Sequence, residues 1–481
     1  MSTAIAEHAA YAPPRPDYPV DPPSLRQFLR AARTNAILMW PDTAYERDVL
    51  VSRSLGKTQM LLNTPEAIHH VLVDNPDNYR RTPASYRILR PIAGDGLLLS
   101  EGEAWRHQRR TIAPSMAPRV IPMLARHIAS VGQDTVAALG ARTGERLNLL
   151  HAMQFAALEI AGRSMFSVEM GAFGAELRAL LTAFGTRLAQ PRLLDMLLPP
   201  SIPSPRDFER RRFQRRWMAL IDRIIDARLA DRRDEAARDL FDLLRAARDP
   251  ETGAAFTREQ LRDQVATMIV AGHETTAITL FWSLYLLAHA PRWQEAMASE
   301  TAGLDLGPDG APSALGQLVQ TRAVVSEALR LYPPAFTLVR AAIGPDRAGD
   351  LDIPKHAVLM IAPWVLHRHR RLWREPDVFD PARFLPGAPT PPRFAYLPFG
   401  AGPRVCVGAQ FALAEVTLVL AALVQAFRVE LDGEQPVTPK PVITTQPDRA
   451  PDFLLSVRPQ AQNPLQGRPF AFHPAEERPP S

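Results

Sequence analysis

Cysteine is almost missing: one thiol, Cys406, stands among 481 residues. A lone cysteine cannot close an intramolecular disulfide, so a disulfide-stapled scaffold is excluded. Nor can it complete a tetrahedral zinc site without a clustered histidine pair, or ligate an iron–sulfur cluster. Lysine is scarce too, occurring only at Lys57, Lys355 and Lys440, so arginine carries the net charge of +5. Those arginines alternate with aspartates and glutamates along helical stretches and form no basic stripe interleaved with aromatics, which argues against nucleic-acid binding. No uninterrupted apolar run approaches membrane-spanning length, and the opening MSTAIAEHAAYAPPRPDYPVDPPS lacks a basic segment followed by an apolar one. Neither a membrane anchor nor a signal peptide is predicted, and a cytoplasmic protein is expected.

What is present suits a large globular fold. Apolar residues make up 46% and charged residues 22%, enough for a sizeable core and far from a disordered composition. The 47 prolines crowd Pro13 to Pro23, Pro199 to Pro205, Pro381 to Pro398 and the C-terminal tail, which read as arms and loops. Between them run helical patterns, such as Phe213, Trp217, Leu220 and Ile224 at i, i+4, i+7 and i+11 in a stretch whose arginines are expected on a solvated face. β-rich pieces occur near DVLVSRSLGKTQMLL, AVLMIAPWVL and PDFLLSVRP, too few for a large sheet. The expected class is mainly α with small β-sheets.

A free cysteine is most often a small buried hydrophobe, so the neighbours of Cys406 decide its meaning. The decapeptide FGAGPRVCVG follows the pattern F-x-x-G-x-R-x-C-x-G through Phe399, Gly402, Arg404, Cys406 and Gly408. The run AQFALAEVTLVLAALVQAF then predicts a helix, which places Cys406 just before a helix N-terminus, where the dipole favours a thiolate. Glycines on both sides let backbone approach a flat ligand. The GAG triplet does not open a dinucleotide fingerprint, because Val405 stands where its third glycine belongs. This segment resembles the cysteine loop of cytochrome P450, the haem-thiolate monooxygenases. The resemblance implies that fold, haem b as cofactor, and Cys406 as axial iron ligand, whose thiolate pushes electron density onto iron and favours O–O cleavage.

Other segments extend the likeness. In MIVAGHETTAITLFWSLYLLAHAP, a helical pattern ended by Pro291, Met268, Gly272, Thr275 and Thr279 share one face. A mid-helix glycine costs on the order of 1 kcal/mol, so Gly272 calls for a reason. The family motif [AG]-G-x-[DE]-T matches Ala271, Gly272, Glu274 and Thr275, and implies that Thr275 hydrogen bonds bound dioxygen while Glu274 relays protons. His273, the variable position, is expected to be structural. In EALRLYPP, Glu327 and Arg330 lie at i, i+3 before Pro333 and Pro334; alone they read as a surface ion pair, and with Arg383 of FDPARF the resemblance implies a buried, structural Glu–Arg–Arg network. The haem propionates are assigned by the resemblance to Trp105 and Arg109 of a W-x-x-x-R pattern, to Arg340 and to Arg404, with His107 as an additional candidate. The run HRHRR, His367 to Arg371, is expected to be a solvated turn.

Because the implied haem contacts run from Trp105 to Cys406, the resemblance predicts one catalytic domain over 30–459, flanked by a proline-rich arm, 1–29, and a proline-rich tail, 460–481. By family position an apolar substrate contacts the loop between Arg87 and Leu98, the turn Ile269 to Ala271, and Phe336 to Val339. The implied reaction inserts one oxygen atom from O2 into an apolar organic molecule. Electrons come from outside, from a ferredoxin or flavoprotein reductase partner, since the sequence holds neither a flavin-binding nor an iron–sulfur spacing. A peroxide-driven or isomerising haem-thiolate enzyme, or a non-catalytic haem sensor, shares the fold but commonly lacks the acid–alcohol pair that Glu274 and Thr275 supply.

Overall fold

The computed structural model describes residues 11–54, 56–167, 173–198, 201–230, 237–441 and 443–459. The expected tail, 460–481, and the first ten residues of the expected arm lie outside the described residues.

The helix Arg258–Ala288 organises the chain. Thr257 and Gln260 close a reciprocal capping box at its start, satisfying two orphan donors, and it ends three residues before Pro291. Its C-terminal half, Ala277 to Leu287, is buried all round, the mark of a helix inside a core rather than on a surface. It packs on the helices Leu149–Phe166 and Ala409–Ala426, and the latter packs in turn on Ile121–Gly140. Trp282 stacks on Tyr332 with ring centroids 3.8 Å apart, and its indole N–H donates to the Thr445 carbonyl at 2.7 Å, so the buried indole is satisfied. Ala409–Ala426, though interrupted by Gln410, Glu415, Thr417 and Gln425, is on average long and apolar enough to cross a membrane, but most of it is buried inside the protein. It is a core helix.

A second apolar cluster forms around the helix Pro205–Ala230. Phe213, Trp217, Leu220 and Ile224 are all buried, as their spacing predicts. Arg211, Arg212, Arg215 and Arg216 face solvent. Arg228 departs from the expected solvated face: it is buried and pairs with Asp239 at 3.0 Å and Asp242 at 2.7 Å, the condition under which a guanidinium tolerates burial.

Among the described residues, nine short strands accompany the helices: β1 Val49–Ser54, β2 Lys57–Leu62, β3 Tyr79–Arg80, β4 Leu338–Ala342, β5 Asp346–Ala348, β6 Leu351–Ile353, β7 Val358–Ile361, β8 Phe427–Leu431 and β9 Phe453–Val457. The larger sheet has the order β1-β2-β7-β4-β3, parallel at β2/β7 and antiparallel elsewhere. β5/β6 and β8/β9 are separate two-stranded pieces. The described part of the proline-rich N-terminus lies against this body. Tyr11 stacks on His289 and accepts from the Phe379 N–H at 2.9 Å, and Tyr18 stacks on Tyr45 at 4.3 Å.

Candidate active site

The cysteine loop is shaped by two glycines in left-handed conformation, Gly400 at φ 72° and Gly402 at φ 70°. A Cβ on Gly402 would stand 1.9 Å from the Leu72 carbonyl oxygen, so only glycine lets the loop seat on the 70–74 turn. The Cys406 N–H donates to the Phe399 carbonyl at 2.9 Å and closes the loop, while the Phe399 ring leans on the main core. Burial pushes the Cys406 thiol above its ordinary range, and a hydrogen bond from the Gly408 N–H and the nearby Arg109 guanidinium pull only partly against it. The thiolate expected from the helix terminus is thus outweighed by desolvation in the polypeptide alone; a metal cation on sulfur reverses that balance, since a coordinated thiol is deprotonated outright. Cys406 nonetheless keeps an accessible side chain, and no atom lies within 4 Å of a Cβ built on Gly408.

Three guanidiniums converge nearby with one carboxylate among them. β3 pairs β4 with Arg80 opposite Ala341; Arg81 follows and Arg340 precedes, so the end of this ladder brings their charges together. Burial, then Arg340 and Arg404, push Arg81 down to about 9. Burial, then Arg404, push Arg340 down to about 10. Arg81 Nη1 is buried without a hydrogen-bond partner, and Arg340 Nη1 donates to its neighbour's backbone, Val339 O, at 2.9 Å. Arg404 pairs with Glu101, donates to the Ser100 carbonyl at 3.1 Å, and lies over the Trp105 ring at 4.5 Å. A buried, like-charged cluster with an orphaned donor calls for an anion, and a haem brings two carboxylates. Trp105 therefore works through Arg404, and Arg109 donates to the Val405 carbonyl at 2.8 Å, bracing the cysteine loop. His107 does not join them: its Nδ1 lies 2.7 Å from Asp249, which also holds Arg110. Arg81 escaped sequence reasoning, because NYRRTP carries no spacing signal and only the β3/β4 ladder reveals it.

On the long helix, Ala271 is exposed and Gly272, Glu274 and Thr275 are partly so. No atom lies within 4 Å of a Cβ built on Gly272, which accounts for a residue unfavourable in mid-helix. Thr275 Oγ1 donates to the Ala271 carbonyl at 2.6 Å, and Thr279 Oγ1 to the Thr275 carbonyl at 2.8 Å. Glu274 is tethered elsewhere: its Oε1 accepts from Thr444 Oγ1 at 2.8 Å and from Gln446 Nε2 at 2.6 Å. Those two tethers had no signal in the sequence. His273 is buried with Nε2 3.0 Å from the Gln154 carbonyl and is pushed down to about 4 by burial, the structural role expected of it.

Substrate-side expectations divide. Ala271 and Val339 keep accessible surface. Ile269 is 2% exposed within the second core cluster, because two helical positions turn a side chain by roughly 200°, away from Ala271. Phe336 is 4% exposed and packs edge-on to Trp40; its neighbour Ala335 is the exposed one. The 87–98 segment is clipped to the long helix. Thr267 Oγ1 donates to Ala93 O at 3.0 Å, Leu97 N–H to Gln264 Oε1 at 2.9 Å, and Asp95 N–H to Asp263 Oδ2 at 2.9 Å.

Behind the cysteine loop, Arg330 grips Glu327 with two bonds of 2.7 Å, both side chains fully buried. Arg383 Nε stands 3.6 Å from the same carboxylate, so the three expected members meet. Arg330 also donates to the carbonyls of His367, Pro376 and Val378. The run His367 to Arg371 is not a solvated turn: His367, Arg368 and His369 are buried, and only the last two arginines reach solvent. His367 accepts from the Leu397 N–H at 2.8 Å and is pushed down to about 3 by burial and by Arg330. Arg368 stacks on Trp364 at 3.6 Å. The Trp364 ring four residues back, with the carbonyls of Leu331 and Arg47 from distant segments, makes the basic run an internal one.

A glycine-framed cysteine facing a set of under-paired arginines, with a helix glycine keeping space open, defines a site for an anionic, metal-bearing flat cofactor. The family model described as Cytochrome P450 matches residues 43–450. Similar curated proteins include cyclooctatin synthase of Streptomyces melanosporofaciens, 32% identical over 82% of this chain and 85% of the relative. Cyclooctat-9-en-7-ol 5-monooxygenase of the same organism is 31% identical over 79% and 82%, and a cytokinin hydroxylase of Arabidopsis thaliana is 32% identical over 75% and 72%. The crystal structure of the cytochrome P450DA heme domain shares the fold, with a TM-score of 0.75 at 24% identity over 86% of this chain and 91% of that one. The chain belongs to the cytochrome P450 family. It is a haem-thiolate monooxygenase, an oxidoreductase that works with haem iron.

Proposed function

We propose that this enzyme hydroxylates an apolar, largely carbocyclic small molecule, using haem b and two electrons delivered by a separate ferredoxin or flavoprotein. The observation that carries the reading is the accessible strip of the long helix: Ala271, Gly272 and Thr275 open beside one another, two of them without polar side chains. The Streptomyces relatives named for cyclooctatin and for a cyclic alkenol support the substrate class. Haem b follows from the single cysteine, which leaves no thiol for thioether attachment once Cys406 is the axial ligand. The same scarcity favours an external electron donor and is compatible with work in the cytoplasm.

When bound, the haem supplies oxygen activation, with the Cys406 thiolate favouring O–O cleavage. The polypeptide's share is binding and proton control. Arg81, Arg340 and Arg404 hold the propionates, planar forks meeting carboxylates. Gly272 and Gly408 keep room for the flat ring, and the clipped strap at 93–97 limits water. Thr275 Oγ1 donates back to the Ala271 carbonyl beside the open strip, which leaves its oxygen to accept, and Glu274, held by Thr444 and Gln446, is the carboxylate next to it in sequence, an acid–alcohol pair suited to passing protons. Thr275→Ala is expected to keep its haem and the red-shifted Soret band of the reduced carbon monoxide form while diverting electrons to hydrogen peroxide. Unchanged product per electron would remove Thr275 from the role. A spectral binding screen of carbocyclic compounds against lipids and aromatics tests the substrate class.

A further inference from the structure

Arg368 is buried, and its charge is only partly answered. Its Nη2 donates to the Leu331 carbonyl, and its Nε stands 3.7 Å from Asp377, a carboxylate that Arg15 also approaches, at 3.5 Å. Two guanidiniums thus share one carboxylate. The neighbouring network offers no relief, since Arg330 and Arg383 likewise share Glu327. The remaining Arg368 Nη1 is buried without a hydrogen-bond partner, and so are the hydroxyls of Tyr332 and Tyr18. Tyr18 Oη lies beside Arg15 and Tyr45 but reaches neither with hydrogen-bond geometry. These groups meet in one enclosure. The Arg368 guanidinium is 5.9 Å from the centre of the Tyr332 ring and 3.6 Å from that of Trp364. The Trp364 indole donates to Tyr45 Oη at 3.0 Å, and the Tyr45 ring stacks on Tyr18. Beyond burial, Tyr18, Asp377 and Tyr332 act electrostatically on Arg368, and Tyr18 and Arg368 act on both Tyr45 and Tyr332.

We propose that a small monovalent anion, of the size of chloride, binds among Arg368 Nη1, Tyr332 Oη and Tyr18 Oη. A guanidinium N–H can only donate, and both hydroxyls have a proton to give, so the three groups want one acceptor between them. Buried donors left without partners are costly. Water in that place would accept from two of them but leave the surplus guanidinium charge buried, whereas an anion cancels it. One negative charge is the right amount, because Arg15 and Arg368 together exceed Asp377 by one. The walls favour a small ion: Trp364, Tyr45 and Tyr332 are each at most 2% exposed. Tyr18 belongs to the proline-rich arm, and Arg368 follows His367, whose Nδ1 lies 3.2 Å from the Arg330 carbonyl. The ion therefore fastens the arm to the Glu327–Arg330 network, alongside the backbone bonds from Phe379 N–H to Tyr11 O and from Asp42 N–H to Pro19 O.

The test is urea unfolding of the haem-loaded full chain at fixed ionic strength, with chloride or bromide replacing gluconate step by step. Above the dissociation constant, each tenfold rise in halide should raise the folded-to-unfolded ratio about tenfold. Tyr18→Phe and Tyr332→Phe keep the rings and remove one donor each, so each should weaken the halide effect roughly three- to tenfold. In gluconate alone both variants should be at least as stable as the parent, because an unpartnered hydroxyl has gone. Crystals grown in bromide should show an anomalous peak within hydrogen-bond reach of Arg368 Nη1. An ordered water there without anomalous signal overturns the proposal, as does stability that follows ionic strength whatever the anion. A halide effect untouched by both variants, or variants already destabilised in gluconate, would assign the hydroxyls to the fold alone and overturn it too. Turnover does not enter these readouts, so their failure is separate from failure of the proposed reaction.

Discussion

Replacing Arg81 by methionine should move two stabilities in opposite directions. Burial beside Arg340 and Arg404 pushes the guanidinium from its ordinary value down to about 9. At about 1.4 kcal/mol for each pKa unit, that descent corresponds to roughly 5 kcal/mol against the charged form. Arg81 keeps some accessible surface, and solvent screening reduces the figure to about 2–3 kcal/mol. A guanidinium does not give up its proton near neutral pH, so the haem-free fold bears this penalty as repulsion and lost hydration. Arg81→Met removes it, and the haem-free protein should gain about 2 kcal/mol in urea unfolding. In the haem-loaded protein the same substitution removes a charge-assisted hydrogen bond to a propionate, about 1.5–3 kcal/mol. Haem transfer to an acceptor protein should then run roughly ten- to hundredfold faster. If the haem-free protein is destabilised and haem transfer is unchanged, Arg81 is an ordinary structural arginine and the anion-site argument fails.

Three further outcomes follow from other parts of the site. Glu327→Gln leaves two arginines without their carboxylate, one of them fully buried, and should lower unfolding free energy by about 3–5 kcal/mol in thermal or urea melts. Gly402→Ala combines a left-handed φ with a clash on Leu72 O; roughly 3 kcal/mol of stability and much of the thiolate carbon monoxide band should be lost. His273 and His367 are buried, with pKa values lowered from 6.5 to about 4 and about 3, so the unfolded chain binds more protons than the fold below about pH 6.5. Stability should therefore fall as pH drops from about 6.5 toward about 4, by about 3 kcal/mol for His273 alone. His273→Gln should flatten that limb when urea midpoints at about pH 7 and about pH 5 are compared, and an unchanged limb would count against the assignment.

The parts of this protein readable in advance are those whose chemistry is local. Cys406 with its flanking glycines, the Ala271–Thr275 strip, and the Glu327–Arg330 pair each sit within ten residues, on elements whose period sets which side chains share a face. Helical spacing likewise assigned Phe213, Trp217, Leu220 and Ile224 to the interior. What required the folded chain is whatever depends on contacts between distant segments. The β3/β4 ladder sets Arg81 beside Arg340, and the 444–446 segment supplies the tethers of Glu274. Packing against Arg330 and Leu331 turns the basic run at 367–369 inward, and the packing of the long helix decides which of its faces is core, so that Ile269 is buried while Ala271, two positions on, stays open. A residue's neighbours along the chain carry its propensity and its face; the dielectric and the partners that decide whether a charge is paired, orphaned or neutral come from chain brought in across long loops.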